Sequence, residues 1–130
     1  EPEVSAHLGL PSTAPLLRVE RLRLAGEEPF AVETCYLAAE EFPGLSRLPL
    51  ERGSLFTILQ HDYGVRLVYA DEEVDATVAD PMLAQLLDVP KGHPLLRIRQ
   101  IMFSTKGKPA AYVLGFYPSD RHTLSIRRFR

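Results

Sequence analysis

One cysteine, Cys35, among 130 residues rules out an internal disulfide and leaves no thiolate spacing that could hold a metal. Charge of one sign is also missing: the formal net charge is −2. Nucleic-acid binding by bulk electrostatics would call for lysine and arginine concentrated on one face. Here only Arg127, Arg128 and Arg130 cluster, at the very end of the sequence, and they read as a solvated strand edge or a tail. No apolar run is long enough to cross a bilayer, and no signal peptide opens a chain that begins Glu-Pro-Glu. The expectation is a soluble cytoplasmic protein with no membrane partner and no cofactor. The four histidines, His7, His61, His93 and His122, fall at element ends and turns and are expected at the surface. None is spaced with a serine or carboxylate as a triad, so no catalytic or metal site is expected.

What is present is a hydrophobic fraction of 45%, enough for a core in a single domain of common size. Residues 16–25 alternate as a half-buried strand, yet Leu17 and Val19 share their face with Arg21 and Arg23. An apolar face that turns cationic is the most informative feature of the chain. Gly26, Glu27, Glu28 and Pro29 form a turn, and a second strand follows through Phe30, Val32, Thr34 and Tyr36. Its other face carries Glu33 between Ala31 and Cys35. A carboxylate in that setting, opposite two arginines, is costly to bury unless it is paired or meets a ligand. Two readings follow: cross-strand surface ion pairs, which contribute little, or a pocket for a small anion.

The rest is strand-rich. Residues 3–8 read as the last turns of a helix stopped by Gly9, and such an abrupt opening suggests a fragment whose N-terminal partner domain is missing. Residues 40–48, with Pro43 and Gly44, read as a loop with at most one helical turn. Ser54 is placed to cap a short amphipathic helix running to His61 or Tyr63, with Gly64 as its stop. Residues 65–79 read as one long strand interrupted by Asp71-Glu72-Glu73. Asp80 and Pro81 open a second helix to Leu87, with Met82, Leu83, Leu86 and Leu87 expected to face inward. Strands are expected over 95–104, 109–117 and 122–129, separated by Lys106-Gly107-Lys108 and Pro118-Ser119-Asp120. The absence of βαβ alternation predicts an α+β fold with a mostly antiparallel six-stranded sheet and short helices.

The ordered succession Leu-Gly-Leu-Pro, Leu-Leu-Arg-Val-Glu-Arg-Leu-Arg-Leu-Ala, Glu-Pro-Phe-Ala-Val-Glu, Phe-Pro-Gly-Leu, Gly-Ser-Leu-Phe, Pro-Leu-Leu-Arg-Ile-Arg, Gly-Lys-Pro and Tyr-Pro-Ser-Asp-Arg resembles the UTRA domain. That domain is the effector-binding half of GntR-type transcription regulators of the HutC/FarR subfamily. The resemblance runs from about Leu8 to Arg121 and rests on the order of many weak motifs. It implies a chorismate lyase-like fold, residues 1–130 as one effector-binding domain, a small anionic metabolite as ligand, and a homodimer. Operator DNA would be a partner only through a winged helix-turn-helix domain absent from this chain. In relatives that bind sugar phosphates, the Arg-x-Arg strand and the serine of Gly-Ser-Leu-Tyr hold the anion, which maps to Arg21, Arg23 and Ser54. The glutamate of the second strand and a penultimate-strand tyrosine map to Glu33 and Tyr117, and Phe56 stands where a tyrosine is common. Pro109-Ala110-Ala111-Tyr112 replaces Pro-Val-Glu-Tyr, so a carboxylate suited to sugar hydroxyls is missing and a less hydroxylated effector is expected. The competing expectations are a chorismate lyase-like enzyme acting on a small aromatic acid, ranked lower because fold alone does not carry activity, and a dimerisation module with a vestigial pocket.

Overall fold

The computed structural model describes residues 2–47 and 55–129. Five strands form one sheet: β1 (Leu16–Ala25), β2 (Glu28–Ala38), β3 (Leu67–Val78), β4 (Pro94–Ser104) and β5 (Pro109–Pro118). Their order across the sheet is β1-β2-β5-β4-β3, with every neighbouring pair antiparallel. Three short helices accompany it, α1 (Pro2–His7), α2 (Leu55–Tyr63) and α3 (Pro81–Leu87), with two single 3-10 turns at Ala39–Glu41 and Leu45–Arg47. The fold is α+β, as the lack of βαβ alternation predicts.

Register divides the sheet into two faces. One row of directly paired residues runs Arg21, Glu33, Gly115, Ile98 and Val74 across all five strands, and the next runs Val19, Cys35, Val113, Gln100 and Glu72. Paired residues project to the same side, so these two rows belong to one face. Helix α2 covers part of it, its Leu55 and Leu59 packing with Cys35, Leu37, Ala111 and Val113. The opposite face packs against α3, where Leu83 and Leu87 meet Val32 and Leu95, and against α1, where Val4 and Leu8 meet Tyr112. On that second face Arg97 donates to both oxygens of Asp75, at 2.9 and 2.6 Å. These hydrogen bonds hold the Asp75 carboxyl down at about 2.

Local chemistry sets the element ends. Asp80 accepts a hydrogen bond from the Leu83 N–H at 2.8 Å, and Pro81 occupies the first helical position of α3. Helix α3 closes on Asp88 in the left-handed region, φ 53°, which a short polar side chain tolerates better than most. Helix α2 stops at Gly64, φ 66°. The β1–β2 ladder shifts register between Arg23 and Leu24, where Pro29 brings no N–H to the pairing.

Three expectations are corrected. The sheet has five strands, because residues 122–129 form no strand. Both neighbours of β5 are already β2 and β4, so a segment following β5 finds no open edge beside it. Residues 67–78 are continuous rather than interrupted: β3 is an edge strand, exposed over most of its length, and an edge tolerates Asp71-Glu72-Glu73. Met82 faces solvent at 57% exposure, while Ala84 joins Leu83 and Leu87 in the core. The histidines lie at the surface, His61 exposed and the other three partly so; His7 stacks on Tyr112, His122 stacks on Tyr117 and His93 pairs with Asp120. Among the described residues no helix is long and apolar enough to cross a membrane.

Leu37 has no exposed surface and lies between the sheet and α2. Leu37→Ala should lower unfolding free energy by ~2–5 kcal/mol, read as a fall in the urea midpoint at unchanged slope.

Candidate functional site

The face that α2 covers only in part opens into a cavity of about 780 Å³. Four of the residues singled out in the sequence line it: Arg21, Arg23, Glu33 and Phe56. Alternation along β1 aims both arginines into it, and the pairing of Arg21 with Glu33 puts the carboxylate on the same side. Arg23 Nε lies 3.7 Å from Glu33 Oε1. The Tyr117 hydroxyl donates to the other carboxylate oxygen, Oε2, at 2.5 Å. Glu33 is therefore held from both sides, with 29% of its side chain exposed toward the opening. Burial, and then the hydrogen bond to Glu33, raise the Tyr117 hydroxyl well above its ordinary range, so it remains a donor. Phe56, half-buried on α2, forms an apolar wall. Ser54 lies outside the described residues.

The cavity also holds residues that the sequence reading passed over. Gln100 donates to Glu72 at 2.8 Å from the middle of an otherwise apolar row on β4, between Ile98 and Met102. One polar residue at that spacing was the available signal. Cys35 sits at the cavity floor, 7% exposed, and burial pushes its thiol from 9.0 up to about 12 despite the nearby Arg21 guanidinium. Gly115 lies in the row between Glu33 and Ile98, and a Cβ there would come within 2.7 Å of the Tyr117 ring and hydroxyl. Glycine inside a strand pattern marks such a close approach. The missing side chain lets Tyr117 lie down over its own strand and reach Glu33.

Arg121 has a structural role. It donates to the carbonyls of Pro29 at 2.8 Å, Leu87 at 2.7 Å and Asp88 at 3.3 Å, and pairs with Glu28 at 3.0 Å. It thereby ties the end of β5 to the β1–β2 hairpin and to the last turn of α3. Among the described residues no group of three or more histidine, cysteine, aspartate or glutamate side chains is placed to hold a metal.

Residues 1–123 match the family model of the UTRA domain. The chain belongs to the UTRA domain family. Its relatives agree: an HTH-type transcriptional regulator of Mycobacterium tuberculosis is 28% identical over 128 residues, 95% of this chain and 46% of that protein. The UTRA domain thus spans about half the length of the curated relatives it matches. Among solved structures, the C-terminal domain of YurK from Bacillus subtilis superposes with a TM-score of 0.93 at 20% identity, covering 98% of this chain and 88% of that one. The ligand-binding domain assigned to a GntR-family transcriptional regulator from Bordetella bronchiseptica gives a TM-score of 0.89 at 26% identity, covering 98% and 84%. The chain is thus a UTRA domain like those of GntR-family transcription regulators, and this family supports a ligand-binding regulatory role.

Two outcomes follow from this geometry. Gly115→Ala should displace the Tyr117 ring and break its bond to Glu33, seen as a changed tyrosine ultraviolet difference spectrum; an unaltered Tyr117 environment would contradict the packing described. The Cys35 thiol should resist alkylation at pH 8 in the folded chain and react once urea unfolds it. Because the folded chain keeps that proton between pH 9.0 and about 12 while the unfolded chain releases it, the thiol's contribution to stability falls as pH rises through this window.

Proposed function

We propose that the domain is the sensor of a bacterial GntR/HutC-type transcription regulator, working in the cytoplasm and binding a small anionic metabolite in the cavity above β1, β2 and β5. The observation that carries the reading is the placement of Arg21 and Arg23 beside Glu33 on one half-covered sheet face, at the mouth of a cavity of about 780 Å³. A guanidinium presents a planar fork of donors that matches a phosphate or carboxylate. Arg21 and Arg23 hold the anionic end, and Ser54, which directly precedes Leu55 in the sequence, is the third donor that the family resemblance assigns. Glu33, fixed by Tyr117, accepts from a donor on the ligand body, and Phe56 packs against its apolar part. Ala111 stands where sugar-phosphate-binding relatives carry a glutamate and Phe56 where they carry a tyrosine, which favours an effector less hydroxylated than a sugar phosphate.

Regulation follows by population shift. The domain is coupled to an N-terminal winged helix-turn-helix domain in the intact regulator. Ligand binding alters the balance between DNA-competent and DNA-incompetent placements of paired reading heads, by no more than its differential affinity for the two. The names of the relatives, which are transcription regulators, favour this sensor over an enzyme acting on an aromatic acid.

A panel of phosphorylated compounds and organic acids tests the reading by thermal unfolding. A ligand at a hundred times its Kd adds roughly 2.7 kcal/mol. One compound class should raise the melting temperature selectively, and Arg21→Ala with Arg23→Ala should weaken that ligand by roughly thirtyfold or more while the unliganded melt stays cooperative. Binding undiminished in the double variant would place the site elsewhere, and silence across the panel would favour a dimerisation module with a vestigial pocket.

A further inference from the structure

Gln100 lines the cavity, yet gripping an anion at β1 gives it no task. Its neighbours on the same face of β4, Ile98 and Met102, are apolar, and its row continues through Val113 on β5 to Cys35 on β2. A half-buried amide in such a row is costly unless its polar atoms are used. The NH2 group donates to Glu72 Oε2 at 2.8 Å, and because a carboxylate only accepts, this bond fixes which end of the amide is which. With the nitrogen turned to β3, the carbonyl oxygen is turned the other way, toward β5 and the cavity. A cross-strand pair at the sheet margin adds little stability. What it does provide is orientation: Glu72 makes Gln100 a hydrogen-bond acceptor facing the cavity.

The open space has a direction. Tyr117 lies over Gly115 and fills the row that runs from Glu33 to Ile98, while α2 covers Leu37 and Ala111 on the other side. What remains runs along Val19, Cys35, Val113 and Gln100, with the arginines at its β1 end. Three strand spacings of ~4.8 Å separate β1 from β4, about 14 Å in all, and side chains stand roughly perpendicular to a sheet. A hydrogen bond of ~2.8 Å at each end leaves ~9 Å for a ligand. A chain of about six carbons has that length at ~1.5 Å per bond.

The two ends of this path differ in sign. Arg21 and Arg23 stand at one, and Glu72 stands behind Gln100 at the other, its charge felt as far as the Tyr117 hydroxyl. The cations of β4, Arg97 and Arg99, are turned to the opposite face, where both meet Asp75. A second anion beside Gln100 would therefore face a carboxylate, whereas an ammonium would meet the amide oxygen in a charge-assisted hydrogen bond.

Resting on the assignment of Arg21 and Arg23 as the holders of the anion, we propose that Gln100, oriented by Glu72, receives the far end of the effector. The effector is then an elongated ω-amino anion. Its carboxylate or phosphate lies at β1, an apolar stretch of about six carbons crosses Cys35 and Val113, and its ammonium donates to Gln100 Oε1.

Isothermal titration calorimetry of the 130-residue chain tests this with hexanoate, ε-aminohexanoate and hexanedioate, run beside hexyl phosphate and aminohexyl phosphate to separate the two head groups. The amino-ended probe should bind roughly tenfold or more tightly than the methyl-ended probe of the same head, with hexanedioate the weakest. Gln100→Met keeps the side-chain length and removes the amide. It should bring the amino-ended and methyl-ended probes to within about threefold of each other and leave the methyl-ended affinity as it was. Glu72→Gln should weaken the amino-ended probe and narrow its lead over hexanedioate. Equal binding of amino-ended and methyl-ended probes by the wild-type chain, or a Gln100→Met variant that melts lower but keeps the wild-type preference, would overturn the proposal. If those equal affinities are both lost in Arg21→Ala with Arg23→Ala, the anion site stands and only the tail assignment fails. Probes bound undiminished in that double variant would instead refute the anion site itself. A wild-type chain that binds none of the five at their highest soluble concentration would overturn this ligand class.

Discussion

The register that sets Arg21 against Glu33 governs the molecule. A slip of one residue between β1 and β2 would carry Leu17, Val19, Arg21 and Arg23 to the opposite face and replace them with Arg18, Glu20 and Leu22. The cations would leave the cavity and Leu17 and Val19 would leave the α2 core together. The same register extends through Gly115 and Ile98 to Val74, so one row of pairing ties the cavity face to both ends of the sheet. Packing under α2 therefore fixes where the charges point: Leu37, Leu55 and Leu59, at 0%, 3% and 0% exposure, hold the sheet face on which the arginines are carried.

The site joins opposing demands on the same residues. Glu33 is half withdrawn from water, which is tolerable because Tyr117 donates to one oxygen and Arg23 stands near the other. Tyr117 reaches it because residue 115 has no side chain. A glycine that weakens β5 as a strand is thus explained by the carboxylate it helps to orient. Cys35, beside Glu33 on the floor, stays a buried neutral thiol, so the charges lining the cavity are those of Arg21 and Arg23 with Glu20 and Glu33.

Alternation made most of this legible. The boundaries of β1, the Asp80–Pro81 start of α3 and the Gly64 stop of α2 each have a local chemical cause, and such causes are written in single residues. The arginines and Glu33 could be assigned to faces for the same reason, since a period of two needs no tertiary knowledge. What failed depends on partners. Residues 122–129 have strand chemistry but no ladder among the described residues, and Met82 has an apolar side chain on a seven-residue helix whose inward face is set by Leu83, Ala84 and Leu87. The continuity of β3 through its acids was hidden because being an edge is a property of the whole sheet. Tyr117 was reachable through the family resemblance, yet its contact with Glu33 depends on chain positions 84 residues apart.

The central claim is that an anionic ligand is gripped by the arginines of β1. Nitrogen-15 correlation spectra of the arginine side-chain Nε–H groups, recorded while the best compound from the stabilising class is titrated in, test it most directly. The account predicts saturable shifts of the Arg21 and Arg23 signals at the same midpoint as the backbone amides around Glu33. Arginine signals that stay fixed while perturbations gather around α3 and the His93–Asp120 pair would contradict it.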